Sequence, residues 1–249
     1  MIDPIAFSGF GLEIRWYGIY YSIGFLLSYF YVMYFAKYFD LKKKFVEDVY
    51  VNLVLISVVG GRIFEILFYD LKYYLTYPTK IFAVWEGGMS IHGAIFFAVV
   101  YLIYVSRKNG ISSFRLLDLF AVPASLGLAF GRLLNFVNQE LVGSVTSSKL
   151  GVVFPLYDDK TRLPYQIFAG FKNLIVFNVL LYIQFFKKYK EGVITSWFLI
   201  LYGFGRFFLD FIRVPTNDLG FIGMGQLLSL IMGFIGVYLL YRISFNNKK

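Results

Sequence analysis

The chain has 249 residues, of which 59% are hydrophobic and only 16% charged, with a net charge of +9 at pH 7. Soluble domains have roughly 45–50% apolar and about 25% charged residues, so this composition excludes an ordinary soluble protein and indicates an integral membrane protein. The absence of cysteine excludes a disulfide framework, a thiolate metal site and a cysteine nucleophile, and a single histidine argues against a zinc site.

Apolar segments recur along the chain, each close to the roughly 20 residues that cross a bilayer. Seven of them cover about residues 16–36, 49–69, 89–106, 116–134, 166–186, 193–212 and 221–243. Clusters of Lys and Arg follow alternate segments, at residues 37–44, 107–115, 187–190 and 242–249. Because cytoplasmic loops carry the excess of Lys and Arg, this alternation favours an N-terminus outside the membrane.

The sequence therefore predicts an all-α integral membrane protein with about seven transmembrane helices. The N-terminus is expected in the periplasm and the C-terminus in the cytoplasm, with a longer outside loop at about residues 135–165. No repeat or linker divides the chain, so residues 1–249 are predicted to form a single polytopic domain. In so apolar a chain, the positive charge is interpreted as membrane topology, and no nucleic-acid partner is expected.

A polar stretch, residues 131–143, directly follows the fourth apolar segment. Arg132, Asn135 and Asn138 recur every three residues, so one helix face would carry all of them. Polar groups of this kind are costly in hydrocarbon and usually face a protein interior or a water-filled cavity. Gly131 and Gly143 bracket the stretch, where small residues permit close backbone approach, and Gly143 is expected to allow a positive φ. The stretch predicts a polar site at the end of a membrane helix.

Three further polar features lie in or beside the apolar segments. His92 is the only histidine; it is as often structural as catalytic in such a place, but an imidazole with an ordinary pKa of about 6.5 suits proton transfer near neutral pH. Arg206 and Asp210 are spaced i,i+4, which fits either an ion pair that eases insertion or an arginine held to bind phosphate. Arg62 and Glu65 repeat this pattern at i,i+3 and could equally form a structural pair.

Six blocks of residues, in chain order and over nearly the whole chain, resemble the prolipoprotein diacylglyceryl transferase family. They are Arg15-Trp16-Tyr17-Gly18, Gly60-Gly61-Arg62, residues 85–93, residues 131–143, residues 202–213 and Met224-Gly225-Gln226. The resemblance implies transfer of the sn-1,2-diacylglyceryl group of phosphatidylglycerol to the lipobox cysteine of a preprolipoprotein signal peptide. Glycerol-1-phosphate would leave. The implied location is the bacterial cytoplasmic (inner) membrane, among membrane lipids, with no cofactor and no metal.

The resemblance also implies which residues form the site. His92 is the candidate base, and Arg132 and Arg206 are the candidate catalytic cations that stabilise the leaving phosphate. The candidate substrate-binding residues are Tyr17, Arg132, Asn135, Asn138, Glu140, Gly143, Arg206 and Asp210.

The chain departs from the family pattern in three places. Leu134 stands where the family usually has Gly, and Asp210 where Glu is commoner. In a segment that usually reads His-Pro-Ser-Gln-Leu-Tyr-Glu, Leu163 replaces the His and Ala169 replaces the carboxylate. Neither lost group can be essential if this protein is active.

Two other classes of protein remain open at this point. Intramembrane charges also mark transporters, here for an anionic or lipid-like substrate, although the sequence lacks the related halves and paired interrupted helices that are common in them. A noncatalytic membrane scaffold is the third interpretation, and it leaves Arg132, Arg206 and His92 without a role.

Overall fold

The computed structural model describes residues 5–9, 12–84, 87–186, 189–214 and 222–245. Within these ranges the chain is mainly helical, with two short antiparallel β-hairpins. The helices are α1 (Trp16–Phe35), α2 (Lys43–Phe68), α3 (Leu71–Thr76), α4 (Ile91–Lys108), α5 (Ser113–Val137), α6 (Tyr165–Phe186), α7 (Val193–Leu209) and α8 (Met224–Phe245). The hairpins pair β1 (Ile5–Gly9) with β2 (Leu12–Arg15) and β3 (Val152–Phe154) with β4 (Asp158–Arg162).

Seven helices in the described part of the chain are long and apolar enough to cross a membrane, which confirms the predicted all-α membrane fold. Each matches one predicted segment, although α2 begins earlier than expected, at Lys43. Helix α7 ends at Leu209 and continues as a 3-10 turn over Asp210–Ile212. Large exposed apolar side chains, such as those of Phe30 and Phe186, cover the helices as expected for surfaces that face lipid. The side of the membrane on which each terminus lies stays a prediction.

Contacts divide the chain into two compact units, which are described separately. The larger unit comprises residues 1–31 and 120–249, and the smaller unit residues 32–119. The single domain expected over residues 1–249 stays a prediction.

In the smaller unit, glycines allow α2 and α4 to pack closely. A Cβ atom on Gly60 would lie 2.5 Å from the Cβ of Phe97, and one on Gly61 would lie 3.2 Å from the carbonyl oxygen of Ser90. Between membrane helices, where lipid is as apolar as the side chains, association relies on such small residues. The Ser90 N–H also donates to the Gly61 carbonyl at 3.0 Å, which fixes the start of α4 against α2.

In the larger unit, the closest helix contact joins α7 to α8. A Cβ atom on Gly203 would lie 2.6 Å from the backbone nitrogen of Gly233, and one on Gly236 would lie 2.8 Å from the carbonyl oxygen of Ser196. At these positions the absence of a side chain lets the two backbones approach. This contact places the polar end of α7 beside the first turn of α8.

Helix α6 lies between α5 and α7 in the same unit. A Cβ atom on Gly170 would lie 3.6 Å from the Cβ of Arg132 in α5. Asn173 of α6 donates from Nδ2 to the Leu128 carbonyl of α5 at 2.9 Å. On the side of α7, a Cβ atom on Gly205 would lie 2.8 Å from the Cδ of Lys172. The packing of α5, α6 and α7 therefore brings their polar residues together.

The connection between α5 and α6 contains the β3–β4 hairpin, which was not predicted from the sequence. The hairpin is short and its second strand is highly polar, so it lacks the apolar alternation by which strands are recognised. Arg162 at its end donates from Nε to Oδ1 of Asp158 at 2.9 Å, and its guanidinium lies 5.0 Å from the ring centroid of Tyr157. This ion pair closes the hairpin.

Candidate active site

The polar residues after α5 form one hydrogen-bonded chain that begins at Arg132. Arg132 donates from Nη1 to Oδ1 of Asn135 at 3.2 Å, and Asn135 donates from Nδ2 to Oε2 of Glu140 at 3.1 Å. Asn138 donates to the other carboxylate oxygen of Glu140 at 3.3 Å. Helix α5 ends at Val137, so Asn138 and Glu140 lie in the turn rather than on the helix face. The structure thus brings together Arg132, Asn135, Asn138 and Glu140, with Glu140 linking the two asparagines, although Asn138 does not lie on the shared helix face that the sequence predicted.

The backbone of this turn differs from the expectation for Gly143. Within this turn the residues with positive φ are Gln139, at 59°, and Leu141, at 53°, and Gly143 does not adopt the positive φ that a glycine permits. Glycine is required there because of crowding: a Cβ atom would lie 2.5 Å from the carbonyl oxygen of Leu163 and 3.0 Å from that of Ile212. Gly143 therefore joins the turn after α5 to the start of α6 and to the end of α7.

Arg206 is held by Asp210, and Asp210 in turn by Tyr165. Arg206 donates from Nε to Oδ2 of Asp210 at 3.3 Å, so the predicted i,i+4 pair is confirmed. The Asp210 side chain is only 6% exposed, and its Oδ1 accepts a hydrogen bond from the Tyr165 hydroxyl. At the start of α8, a Cβ atom on Gly225 would lie 3.2 Å from Nη2 of Arg206. The guanidinium is therefore fixed between α6, α7 and the first turn of α8.

Lys172, on α6, lies in the same cluster, although the sequence did not indicate a role for it. Its stem passes over Gly205, and its Nζ lies 4.1 Å from the ring centroid of Tyr202. The charges of Arg132, Arg206 and Asp210 all act on the Lys172 ammonium. A lysine in the middle of an apolar segment was the signal in the sequence, but its neighbours on α5 and α7 become visible only in the folded chain.

Arg213, just beyond the 3-10 turn, is the other cation of this cluster for which the sequence did not indicate a role. Its backbone pairs with Gly143, and its guanidinium lies 6.0 Å from the ring centroid of Tyr165. Burial lowers the pKa of Arg213; Arg132 and Arg206 act in the same direction, while Tyr165 and Asp210 oppose it. The guanidinium remains charged at neutral pH, because arginine does not deprotonate in proteins.

The balance of charge in this cluster is positive. Among the described residues of the larger unit, Arg132, Lys172, Arg206 and Arg213 face only two carboxylates, those of Asp210 and Glu140. Cations at membrane depth are expensive and mark functional sites by default. Arginines presented in fixed orientation suit the planar recognition of phosphate. The cluster is therefore suited to an anionic group such as a phosphate.

In the smaller unit, Arg62 has a different role from the one expected. Among the described residues it does not pair with Glu65; it donates instead to backbone carbonyls, with Nη1 at 2.6 Å from the Gly87 oxygen and Nε at 3.0 Å from that of Ile81. Further acceptors are the carbonyls of Lys80, Ala83 and Gly88. Arg62 therefore holds the connection that leads into α4.

The remaining predicted residues are placed only in part. His92 is exposed as the second residue of α4. Tyr17 lies in the first turn of α1, but its side chain is outside the part of the chain that the structure describes, as are Trp85 and Glu86 of the third block. No group of three His, Asp or Glu side chains among the described residues is arranged to hold a metal ion.

The fold and the cluster define a multi-pass membrane protein with a positively charged site among α5, α6, α7 and α8. A family model described as prolipoprotein diacylglyceryl transferase matches residues 4–242. The chain belongs to the prolipoprotein diacylglyceryl transferase family, as the resemblance of its motifs had indicated.

Several relatives share nearly the full length of the chain. One from Ehrlichia canis (strain Jake) is 38% identical over 247 residues, covering 96% of this chain and 95% of the relative. One from Geobacter sulfurreducens is 39% identical over 250 residues, covering 98% and 96%. One from Francisella tularensis subsp. holarctica is 34% identical over 256 residues, covering 100% and 96%. All three are named phosphatidylglycerol–prolipoprotein diacylglyceryl transferase.

Proposed function

We propose that this protein transfers the sn-1,2-diacylglyceryl group of phosphatidylglycerol to the thiol of a preprolipoprotein lipobox cysteine, the first step of lipoprotein maturation. The observation that carries the proposal is the positive cluster around Arg132 and Arg206 in a chain that belongs to this family over residues 4–242. The donor lipid has one anionic phosphate, and that phosphate leaves with the free glycerol. The reaction therefore needs the kind of cationic site that α5, α6 and α7 supply.

The bond changes define what the protein must do. The thiol sulfur attacks C3 of the diacylated glycerol, so a C–S bond forms and the bond from C3 to the phosphate oxygen breaks. The electron pair of the broken bond stays on the phosphate, which leaves as glycerol-1-phosphate. The thiol proton passes to a base. The protein must therefore remove one proton and stabilise the negative charge that grows on the leaving phosphate.

Arg206 and Arg132 are suited to stabilise the leaving group. Each guanidinium is fixed in advance, Arg206 by Asp210 and Arg132 by Asn135. Preoriented donors in a site with little water stabilise developing charge without reorganising during the reaction. In this scheme Glu140 and Asn138 hold the chain of hydrogen bonds that begins at Arg132.

His92 is the proposed base. A thiol with an ordinary pKa of about 8.5 is mostly protonated at neutral pH, so the attack requires a group that accepts its proton. An imidazole accepts protons in this range without perturbation, and His92 is the only histidine in the chain. Tyr17 and Gly143 are proposed to line the substrate site, Gly143 by keeping the backbone around Leu163 and Ile212 tightly packed.

The proposed setting is the bacterial inner membrane, with the N-terminus and the α5–α6 connection outside. The exported signal peptide and the lipid would meet at that face. The acidic residue that the family usually has at position 169 is replaced by a buried Ala169, so the proposed reaction proceeds without that carboxylate.

The decisive test is incubation of the purified protein with phosphatidylglycerol and a lipobox peptide, followed by mass spectrometry of the peptide. The expected result is a mass gain of one diacylglyceryl group, with release of glycerol-1-phosphate. A peptide with Ser in place of the lipobox Cys is the matched control and should stay unmodified. No mass gain from a folded protein would overturn the proposal, and accumulation of substrate in vesicles without lipid consumption would favour a transporter.

A further inference from the structure

The surroundings of Lys172 are unusual for a residue that only packs two helices together. It lies within α6, a helix that crosses the membrane, where an ammonium group is expensive. Its stem lies against Gly205 of α7, where a Cβ atom would approach the Cδ of Lys172 to 2.8 Å. This contact directs the end of the side chain along α7, where Nζ reaches 4.1 Å from the ring centroid of Tyr202.

The charges around this ammonium are mostly of its own sign. Arg132 and Arg206 both act on it as like charges, and Asp210 is the opposing charge. Among the described residues, no carboxylate lies within ion-pair distance of Lys172, and Asp210 is engaged by Arg206 and Tyr165. The aromatic ring offsets only part of the unfavourable charge, because a cation–π contact is weaker than an ion pair with a carboxylate at membrane depth.

The preceding turn of α6 does not supply a counter-charge either. Ala169 lies three residues before Lys172, a spacing at which helical side chains are neighbours. Ala169 is buried, so this place on the helix is filled by a methyl group. The cation on α6 therefore remains without a negative partner on its own helix.

We infer that Lys172 is a third cation of the phosphate-binding site, acting with Arg132 and Arg206 on the phosphate of the lipid donor and of the glycerol-1-phosphate product. The inference rests on the proposed function. A bound phosphate would provide the negative charge that the described surroundings of Lys172 lack. It would also explain the glycine at position 205. Because Gly205 has no side chain, the stem of Lys172 fits against α7, and the position of that stem determines where the ammonium group lies.

The test compares Lys172→Met with Lys172→Arg, because Met keeps most of the apolar stem and Arg keeps the charge. We expect Lys172→Met to raise the KM for phosphatidylglycerol and the Ki for glycerol-1-phosphate as product inhibitor by about tenfold or more, since a hydrogen bond to a charged group contributes about 1.5–3 kcal/mol. Lys172→Arg should restore both constants to within about threefold of the unsubstituted protein.

The matched control is Lys108→Met. Lys108 also lies over a tyrosine ring, 5.9 Å from the centroid of Tyr104, but it is exposed at the end of α4. Its substitution should leave both constants unchanged. A purely structural role for Lys172 would lower the thermal midpoint without changing the affinity of the folded fraction for glycerol-1-phosphate.

Binding and transfer are measured separately, so that failure of one proposal does not obscure the other. Calorimetry of glycerol-1-phosphate binding to the detergent-solubilised protein needs no turnover. Transfer activity with unchanged affinity in Lys172→Met would overturn the role of Lys172 and leave the proposed function standing. Weakened binding in Lys172→Met, in a protein that never modifies the peptide, would support the cation site and overturn the proposed function. No binding by the unsubstituted protein would overturn the role of Lys172.

Discussion

Tyr165 donates its hydroxyl hydrogen to one carboxylate oxygen of Asp210, while the other oxygen accepts from Nε of Arg206. The carboxylate is thus shared between α6 and the end of α7, and neither partner occupies both of its oxygens. Because Asp210 is buried, both hydrogen bonds are needed to satisfy it, and together they fix the direction in which the guanidinium points.

Replacing Tyr165 with Phe keeps the ring and removes only the hydroxyl. One oxygen of Asp210 then loses its donor in a buried place, so Arg206 should be held less firmly. We expect kcat/KM for diacylglyceryl transfer to fall about tenfold, in line with the 1.5–3 kcal/mol of a hydrogen bond to a charged group. The matched change is Tyr69→Phe at an exposed position, which should have no effect. Equal rates for both variants would show that Arg206 is positioned without Tyr165.

Replacing Arg206 with Lys separates the charge from the planar fork of donors. If the leaving phosphate is bound by the fork, transfer should fall by about 10²–10³-fold, the range for loss of one preoriented donor. The rates of peptide modification measure this directly, and Arg242→Lys, at an exposed place in α8, is the control. Retained activity would mean that charge alone suffices. Asp210→Asn adds a second criterion, because a purely structural ion pair predicts a folding defect before a kinetic one.

Replacing His92 with Gln tests the proposed base. At pH 7 the variant should transfer about 10²–10⁴-fold more slowly, the usual contribution of a positioned base. Raising the pH toward 9 should restore part of the rate, because the substrate thiol then ionises without assistance. The measurement is the pH profile of peptide modification by both proteins. Near-normal transfer by the variant at pH 7 would refute the assignment and favour a thiol whose pKa is lowered by the arginines.

Replacing Gly203 with Ala tests the contact between α7 and α8. The new Cβ atom would lie 2.6 Å from the backbone nitrogen of Gly233, and a backbone atom cannot move aside as the end of a side chain can. We expect a loss of about 1–3 kcal/mol in unfolding free energy, typical of overpacking. Thermal unfolding in detergent measures the change. Gly127→Ala in α5 is the control, because nothing lies within 4 Å of its Cβ position; an equal loss in both variants would refute the packing argument.

The pair of Asp158 and Arg162 predicts a pH dependence of stability outside the membrane. The hydrogen bond from the Arg162 guanidinium holds the pKa of the Asp158 carboxyl below its usual range. A carboxyl whose pKa is lowered by folding stabilises the folded chain above its unfolded pKa of about 3.9, and this stabilisation is lost as the pH falls through the folded pKa.

Thermal unfolding of the protein and of Asp158→Asn should therefore differ at pH 7 and converge in strong acid. Asp159→Asn, on the same strand, is the control. If the difference in thermal midpoint between the two proteins persists unchanged below the folded pKa of Asp158, the substitution acts through packing rather than through the charge.

The sequence by itself determined the class of fold and one ion pair of the site. Apolar runs of about 20 residues leave the backbone no alternative to helices in a bilayer, so seven segments were visible without any tertiary information. The pairing of Arg206 with Asp210 follows in the same way from spacing along one helix. The short β3–β4 hairpin has no apolar periodicity in its sequence, so it was not predicted.

Only the tertiary structure decided which distant residues complete the site. Tyr165 lies 45 positions before Asp210 in the chain, and no local pattern joins them. Lys172 comes within electrostatic reach of Arg132 and Arg206 because glycines at positions 170 and 205 let α5 and α7 approach α6 from two sides. Gly143 is required by the crowding of two other segments rather than by its own φ. Contacts of this kind arise from packing between helices, whereas periodicity reports only which residues share a face of one helix.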